Sequence, residues 1–202
     1  AINRNKRSAV ADFKTPAGAA LIRRIAARAD ILVENFRPGT LEKCGLDLAE
    51  LRRINPRLIT LTVSGMGASG PERDLPGYDF VVQASGGLMA ITGPVAGPPS
   101  KVGVAIVDLT TGMLAANAIM AALYARERSG QGQHIDISLL EAQVAWLANV
   151  GSAYLVTGEE PQRYGNAHAT IVPYQTFPAS DGELALAVGN DGQWQSLCAV
   201  IA

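Results

Sequence analysis

KVGVAIVDLTTGMLAANAIMAALYARER, residues 101–128, carries the reading of the fold. Its first seven residues, Lys101 to Val107, are rich in β-branched side chains and read as a strand. From Asp108 to Arg128, Leu109, Met113, Ala116, Met120 and Leu123 recur at alternating steps of four and three, which puts one apolar stripe on a long helix that Ser129 to Gly132 ends. A strand passing directly into a helix is the building unit of an α/β domain with a largely parallel sheet.

Working outward from that stretch, the same alternation continues on both sides. Upstream, Ser8 to Phe13 reads as a strand, Pro16 to Ala29 as a helix opened by Thr15 and Pro16, and Asp30 to Glu34 as a strand. Leu46 to Ile54 reads as a short helix and Leu58 to Ser64 (LITLTVS) as a buried strand. A Gly/Pro-rich loop, Gly65 to Gly77, precedes a helix over Tyr78 to Met89, and Gly93 to Ser100 (GPVAGPPS) is loop because its Pro and Gly residues punctuate it. Downstream, His134 to Leu139 (HIDISL) alternates like a half-buried strand, and Leu140 to Val156 returns to helical spacing. After Thr157 the texture turns polar, and Gly182 to Gly189 reads as a new strand. The expected architecture is a Rossmann-like open parallel sheet with helices on both faces over residues 1–139, a helical linker over 140–163, and the beginning of a smaller second domain over 164–202.

Composition narrows the function classes. The 202 residues are 48% hydrophobic and 17% charged, enough for one sizeable core. Seventeen Lys and Arg against eighteen Asp and Glu leave a net charge of −1, so no bulk field draws in nucleic acid and any anion site must be local. Two cysteines, Cys44 and Cys198, match no metal-ligand spacing and suggest a reducing compartment. Apolar runs are short and interrupted, and the basic N-terminus lacks a following apolar core, so neither a spanning helix nor a signal peptide is expected. A soluble cytoplasmic or organelle-matrix protein follows, with no membrane partner.

Asp108 sits where the expected strand becomes a helix, the carboxyl-end edge at which open α/β sheets bind ligands. At an N-cap its carboxylate accepts a backbone N–H bond and feels the positive helix end, so it is expected to be ionised. An Asp there is also simply a good cap; the small and polar first turn of Thr110, Thr111 and Gly112 leaves space beside it for a ligand. Gly65-Met66-Gly67-Ala68-Ser69-Gly70 formally matches the dinucleotide pattern G-x-G-x-x-G, but Pro71, Asp74, Pro76 and Gly77 follow where that pattern needs a helix, and no redox cofactor is expected. Together with Ser85-Gly86-Gly87 and Gly93, it reads as a mobile loop able to close over a reacting group, or as plain surface loop. The basic run Asn3 to Ser8 and Lys14, Arg37 and Lys43 suit a phosphorylated cofactor, and equally suit a solvated surface. His134 reads as structural, whereas His168, in a loop, is placed to reach a ligand.

Seven ordered segments, NRNKRS, ADILVENFRPG, INPRLI, SGMGASGP, GYDFVVQASGGLMAITG, VDLTTG and SGQGQHIDISL, together resemble the class III CoA-transferase family over nearly the whole chain. The resemblance implies that Asp108, in VDLTTG, is the nucleophile. It matches Ala11, Asp12, Phe13 and Lys14 to one CoA-binding segment, Asn35, Phe36 and Arg37 to a second, and Pro76, Gly77, Tyr78 and Asp79 to a third, with Lys43 a further contact. Pro76 stands where some relatives carry a Lys. CoA or an acyl-CoA is then a substrate, with no metal or redox cofactor, and the family forms interlocked homodimers. By that pattern the chain lacks the first βα unit and stops just inside the smaller domain.

The activity so implied is reversible CoA transfer between carboxylic acids through an aspartyl anhydride and an aspartyl-CoA thioester. The alternative from the same family is a 2-methylacyl-CoA racemase. That branch has a His where this chain has Tyr78, and a phenol with an ordinary pKa of about 10 is a poor base at neutral pH. An inactive CoA-binding fragment is the other alternative. Arg163 to Phe177 (RYGNAHATIVPYQTF) resembles the succinyl-CoA:glutarate branch, which favours succinyl-CoA as donor and a dicarboxylate as acceptor. Arg163, Asn166, His168 and Tyr174 are the candidates for the second carboxylate, which must be paired once buried.

Overall fold

A computed structural model describes residues 3–202 of the chain. It packs as two compact units, one made of residues up to Val82 together with Ala105–Trp146, the other of Gln83–Val104 together with Leu147–Ala202. Residues 83–104 therefore group with the C-terminal part, so these units do not coincide with linear divisions at 139 and 163.

The first unit opens with α1 (Pro16–Ala26), where Thr15 accepts the amide of Gly18 and Pro16 supplies the preset φ of a first helical residue. β1 (Ile31–Glu34), α2 (Thr40–Lys43), α3 (Leu48–Ile54, capped by Asp47) and β2 (Ile59–Ser64) follow. After a loop come α4 (Asp79–Ser85), whose last three residues belong to the second unit, and, beyond that unit's segment with its α5 (Leu88–Ile91), α6 (Ile106–Ser129). β3 (His134–Ser138) and α7 (Leu139–Val144) complete it. The sheet is parallel throughout in the order β1-β2-β3, with Val33 beside Leu61 and Leu61 beside Ile135. Helices surround it, as the alternating sequence pattern implied.

Three clusters form the core: Ala19, Leu41 and Leu46 with Phe13; Ala26, Leu51 and Leu58 with Leu32; and Val82, Val107 and Leu139 with Val63 and Met66. The third fixes the start of α6 against the carboxyl end of β2. At the other end of α6, buried Arg126 reaches the Asp30 carboxylate at 3.0 Å and the carbonyl of Arg57 at 3.2 Å. Packing at one end and long-range bonds at the other thus anchor the longest helix.

Five expectations need correction. Ser8 to Phe13 forms no strand and instead runs into a turn before α1. Lys101 to Val107 forms none either: the Val102 amide donates to Gln83 Oε1 at 2.9 Å rather than to a sheet, and Ile106 and Val107 already belong to α6. The helix over Tyr78 to Met89 is broken between α4 and α5, where Gly87 takes a left-handed φ of 90°. On α6 the buried face is Val107, Thr111, Ala115, Ala122 and Arg126, whereas Leu109, Met113 and Met120 of the expected stripe are exposed. A helix apolar around most of its circumference does not reveal from spacing which face is buried. With 24 residues and a mean hydropathy of 1.6, α6 is also long and apolar enough to cross a bilayer, contrary to the short apolar runs expected. One face packs on β2, β3 and α7, while Leu109, Met113, Met120 and Tyr124 on the rest of the helix stay exposed.

In the second unit, α5 and α8 (Ala148–Thr157) accompany an antiparallel hairpin of β4 (Tyr174–Ala179) and β5 (Gly182–Ala187), followed by α9 (Asp191–Ile201). Asn190 caps α9 by accepting the Gln193 amide.

Candidate functional site

α6 starts after Ala105, which offers no side-chain cap. The cap comes from 28 residues away: Asp79, first residue of α4, accepts through Oδ1 the amides of Val107 at 2.8 Å and Asp108 at 3.2 Å. Asp108 thus stands inside the first turn rather than at the N-cap, and Asp79 holds the amides of the second and third residues of the helix. Among the described residues nothing hydrogen-bonds the Asp108 carboxylate. Its carboxyl is raised above the ordinary value, first by partial desolvation and then by the negative charge of Asp79.

The segments singled out for CoA converge in part. Phe13 and Phe36 face each other with ring centroids 5.2 Å apart, joining the first segment to the second. Asn35, Phe36, Arg37 and Pro38 line a cavity of about 190 Å³ together with residues 73–78, which include Pro76, Gly77 and Tyr78 of the third. Asn35 Nδ2 donates to the Val63 carbonyl at 2.6 Å and so ties the loop after β1 to the end of β2. Within the first segment, Asp12 accepts the Lys14 amide at 3.1 Å and serves as a turn former before α1. Lys14 and Lys43 are exposed and line neither this cavity nor the one of about 350 Å³ that Arg37 also lines.

Arg73 escaped the sequence reading. It lines the same cavity as Arg37, three residues before Pro76, with its Nε 3.5 Å from the Asp74 carboxylate. A cation inside a Gly/Pro loop was the available signal. The Gly-rich loop has a concrete role as well: the backbones of Gly65 and Gly77 pass so close that a Cβ on either would overlap the other's main chain. No helix follows Gly70 before Asp79, in keeping with the rejected dinucleotide reading. His134 bonds Thr60 Oγ1 at 3.0 Å within the sheet, a structural placement.

The acceptor candidates lie in the second unit. Arg163 donates to the carbonyls of Pro94 (3.3 Å), Ala90 (3.2 Å) and Gly97 (2.8 Å), pinning the 90–97 loop. His168 Nδ1 accepts the amides of Thr170 and Ile171, each at 3.1 Å, which puts its ring proton on Nε2, and the ring packs on Tyr174 at 5.2 Å. Asn166 lines a cavity of about 840 Å³ with residues 91–95, Gln175 and Thr176. Among the described residues no cluster of His, Cys, Asp and Glu is disposed to hold a metal ion.

The first unit thus combines a parallel sheet, a raised carboxyl in the first turn of its longest helix, and a small cavity lined by Arg37 and Arg73. The chain belongs to CoA-transferase family III, whose profile matches residues 1–202. It is 51% identical over 201 residues to a succinate–glutarate CoA-transferase of Agrobacterium fabrum, covering 100% of this chain and 50% of that protein. It is 42% identical over 200 residues to the human succinyl-CoA:glutarate CoA-transferase, covering 99% and 46%. A crystal structure of a CAIB/BAIF family protein from Brucella suis superposes with a TM-score of 0.86 at 47% identity, covering 98% of this chain and 53% of that one. The chain spans about half the length of the curated relatives it matches.

Proposed function

We propose that this chain carries the CoA-binding and nucleophile-bearing part, within residues 1–139, of an enzyme that moves CoA from an acyl-CoA to a carboxylic acid, with succinyl-CoA as donor and a dicarboxylate as acceptor. The Asp108 carboxylate attacks the thioester carbonyl, forming a mixed anhydride and expelling CoA thiolate. The thiolate attacks the Asp108 carbonyl of the anhydride, giving an aspartyl-CoA thioester and releasing the donor carboxylate. The acceptor carboxylate then attacks this thioester to form a new anhydride, and the freed thiolate takes the acceptor's acyl carbon, regenerating Asp108. Every step exchanges one leaving group for one nucleophile, so no oxidant, reductant or net proton is consumed. Amides of the Gly-rich loops serve as donors to the oxyanions.

The observation that carries this reading is the cavity joining the loop after β1 to residues 73–78, whose last member adjoins Asp79, the cap of the turn that bears Asp108. Arg37 and Arg73 are the cations for CoA phosphates there, with Ala11 to Lys14 and Lys43 as peripheral contacts. For the acceptor, the relatives named for succinate and glutarate support a dicarboxylate. Asn166, His168 and Tyr174 are the candidate contacts to its second carboxylate, and Arg163 shapes the loop beside them. We assign the enzyme as a homodimer of a reducing compartment, cytoplasm or organelle matrix; both described thiols, Cys44 and Cys198, are free.

The test is mass spectrometry of the full-length protein incubated with succinyl-CoA. A CoA adduct on the peptide carrying Asp108, lost together with transfer in Asp108→Ala, is expected; undiminished transfer by that variant refutes the assignment. His168→Ala is expected to erase the preference for succinate over butyrate while sparing CoA binding.

A further inference from the structure

Asp79 matched a CoA-binding segment by resemblance, yet its Oδ1 is turned toward the start of α6. Oδ1 takes the amides of Val107 and Asp108, and Val82, one turn along α4, is buried against Val107. The start of α6 therefore depends on a carboxylate from another helix. We propose that Asp79 is a positioning residue for Asp108: by holding the amides of Val107 and Asp108 it fixes the turn that carries the Asp108 carboxylate and keeps a second negative charge beside it. This rests on the proposed role of Asp108 and deepens it.

Two consequences of the geometry work together. A carboxylate in the first turn of a helix is ordinarily stabilised by free N–H groups and the positive helix end. Here Asp79 has already taken two of those groups, and its own charge opposes a second one nearby. Converting Asp108 to an anhydride or thioester makes it neutral and relieves that repulsion, so Asp79 favours the acylated states over the free carboxylate. The raised Asp108 carboxyl accords with this. Glu141 on α7 and His134 and Asp136 on β3 are the titratable groups on the elements packed against α6; Glu141 and His134 act on Asp136, and Asp79 is the charged group that acts on Asp108.

Asp79→Asn and Asp79→Ala in the full-length protein separate cap from charge. Asn keeps an acceptor at Oδ1 and loses the charge; Ala loses both. With aspartate labelled with carbon-13, NMR titration of the Asp108 carboxyl is expected to move to lower pH in Asp79→Asn. That variant should lose about tenfold in kcat, since nucleophilic strength falls with basicity, with KM for succinyl-CoA nearly unchanged. Asp79→Ala should lose about a hundredfold, because a reacting group displaced by an ångström costs that much, and Asn should recover much of the difference. An unmoved Asp108 titration in Asp79→Asn overturns the inference, as does a loss confined to KM, which would make Asp79 a CoA contact instead. The titration needs no turnover, so it holds even if Asp108→Ala proves active and the reading of the function falls. If Asp79→Ala fails to fold, the Asn variant alone decides.

Discussion

In the first unit, β2 lies between two parallel neighbours, and Leu58, Ile59, Thr60 and Leu61 show no exposure at all. In the second, β4 and β5 pair along six residues each, yet none of their side chains is buried, and Leu184 is 57% exposed. Both regions satisfy their strand hydrogen bonds; only one excludes water from its side chains. The contrast separates two contributions that are easily confused. A ladder fixes backbone direction at modest net gain, whereas the large favourable free energy comes from apolar area removed from water. Asp108, the proposed nucleophile, stands in the first unit, itself exposed but one residue from buried Val107.

The contrast breaks if core and hairpin respond alike to truncation. Leu61→Ala is expected to cost about 2–5 kcal/mol in urea denaturation, the usual range for emptying a filled core site. Gly65→Ala should cost about 1–3 kcal/mol, because its new methyl meets backbone that cannot rotate away, and should weaken CoA binding in calorimetric titration by disturbing the cavity that includes Gly77. Arg163→Ala in the second unit is expected to cost about 1–2 kcal/mol by removing bonds to three carbonyls, read as faster hydrogen exchange confined to the 90–97 loop. Leu184→Ala should change stability by less than about 0.5 kcal/mol. A Leu184 effect equal to that of Leu61 would mean the hairpin is buried in solution.

The smallest effect concerns Asp136, whose carboxyl is raised by desolvation first, with Glu141 adding and His134 opposing. The folded state then binds the proton more tightly than the unfolded chain, so stability falls as pH rises from the ordinary carboxylate value through the raised one, and the deficit persists above it. Asp136→Asn should flatten that part of the stability profile. A profile that rises with pH in the same window and loses its rise in the variant would show the carboxylate to be stabilised by the fold.

Much of this was legible in the residues themselves. Thr15-Pro16 marked the start of α1, LITLTVS marked β2, HIDIS marked β3, and Gly130 closed α6, because caps, turns and apolar periodicity act over a few residues and leave a local signature. The family segments likewise set Asp108 apart before any contact was known. Among the stretches the residues misplaced is 101–107, which has strand composition but whose Val102 amide finds a glutamine side chain rather than a sheet edge.

The sequence by itself determined α1, the three parallel strands, the long helix after Ala105, the family, and the residue proposed to react. Tertiary structure alone decided the rest: that Asp79 caps α6 across 28 residues, that Gly65 and Gly77 cross, that Arg73 joins Arg37 at one cavity, that Arg163 pins a loop, and which face of α6 is buried. Each of these depends on a partner distant along the chain. Such a pairing has no period and no spacing, and only the folded packing that repays its ordering entropy brings the two sides together.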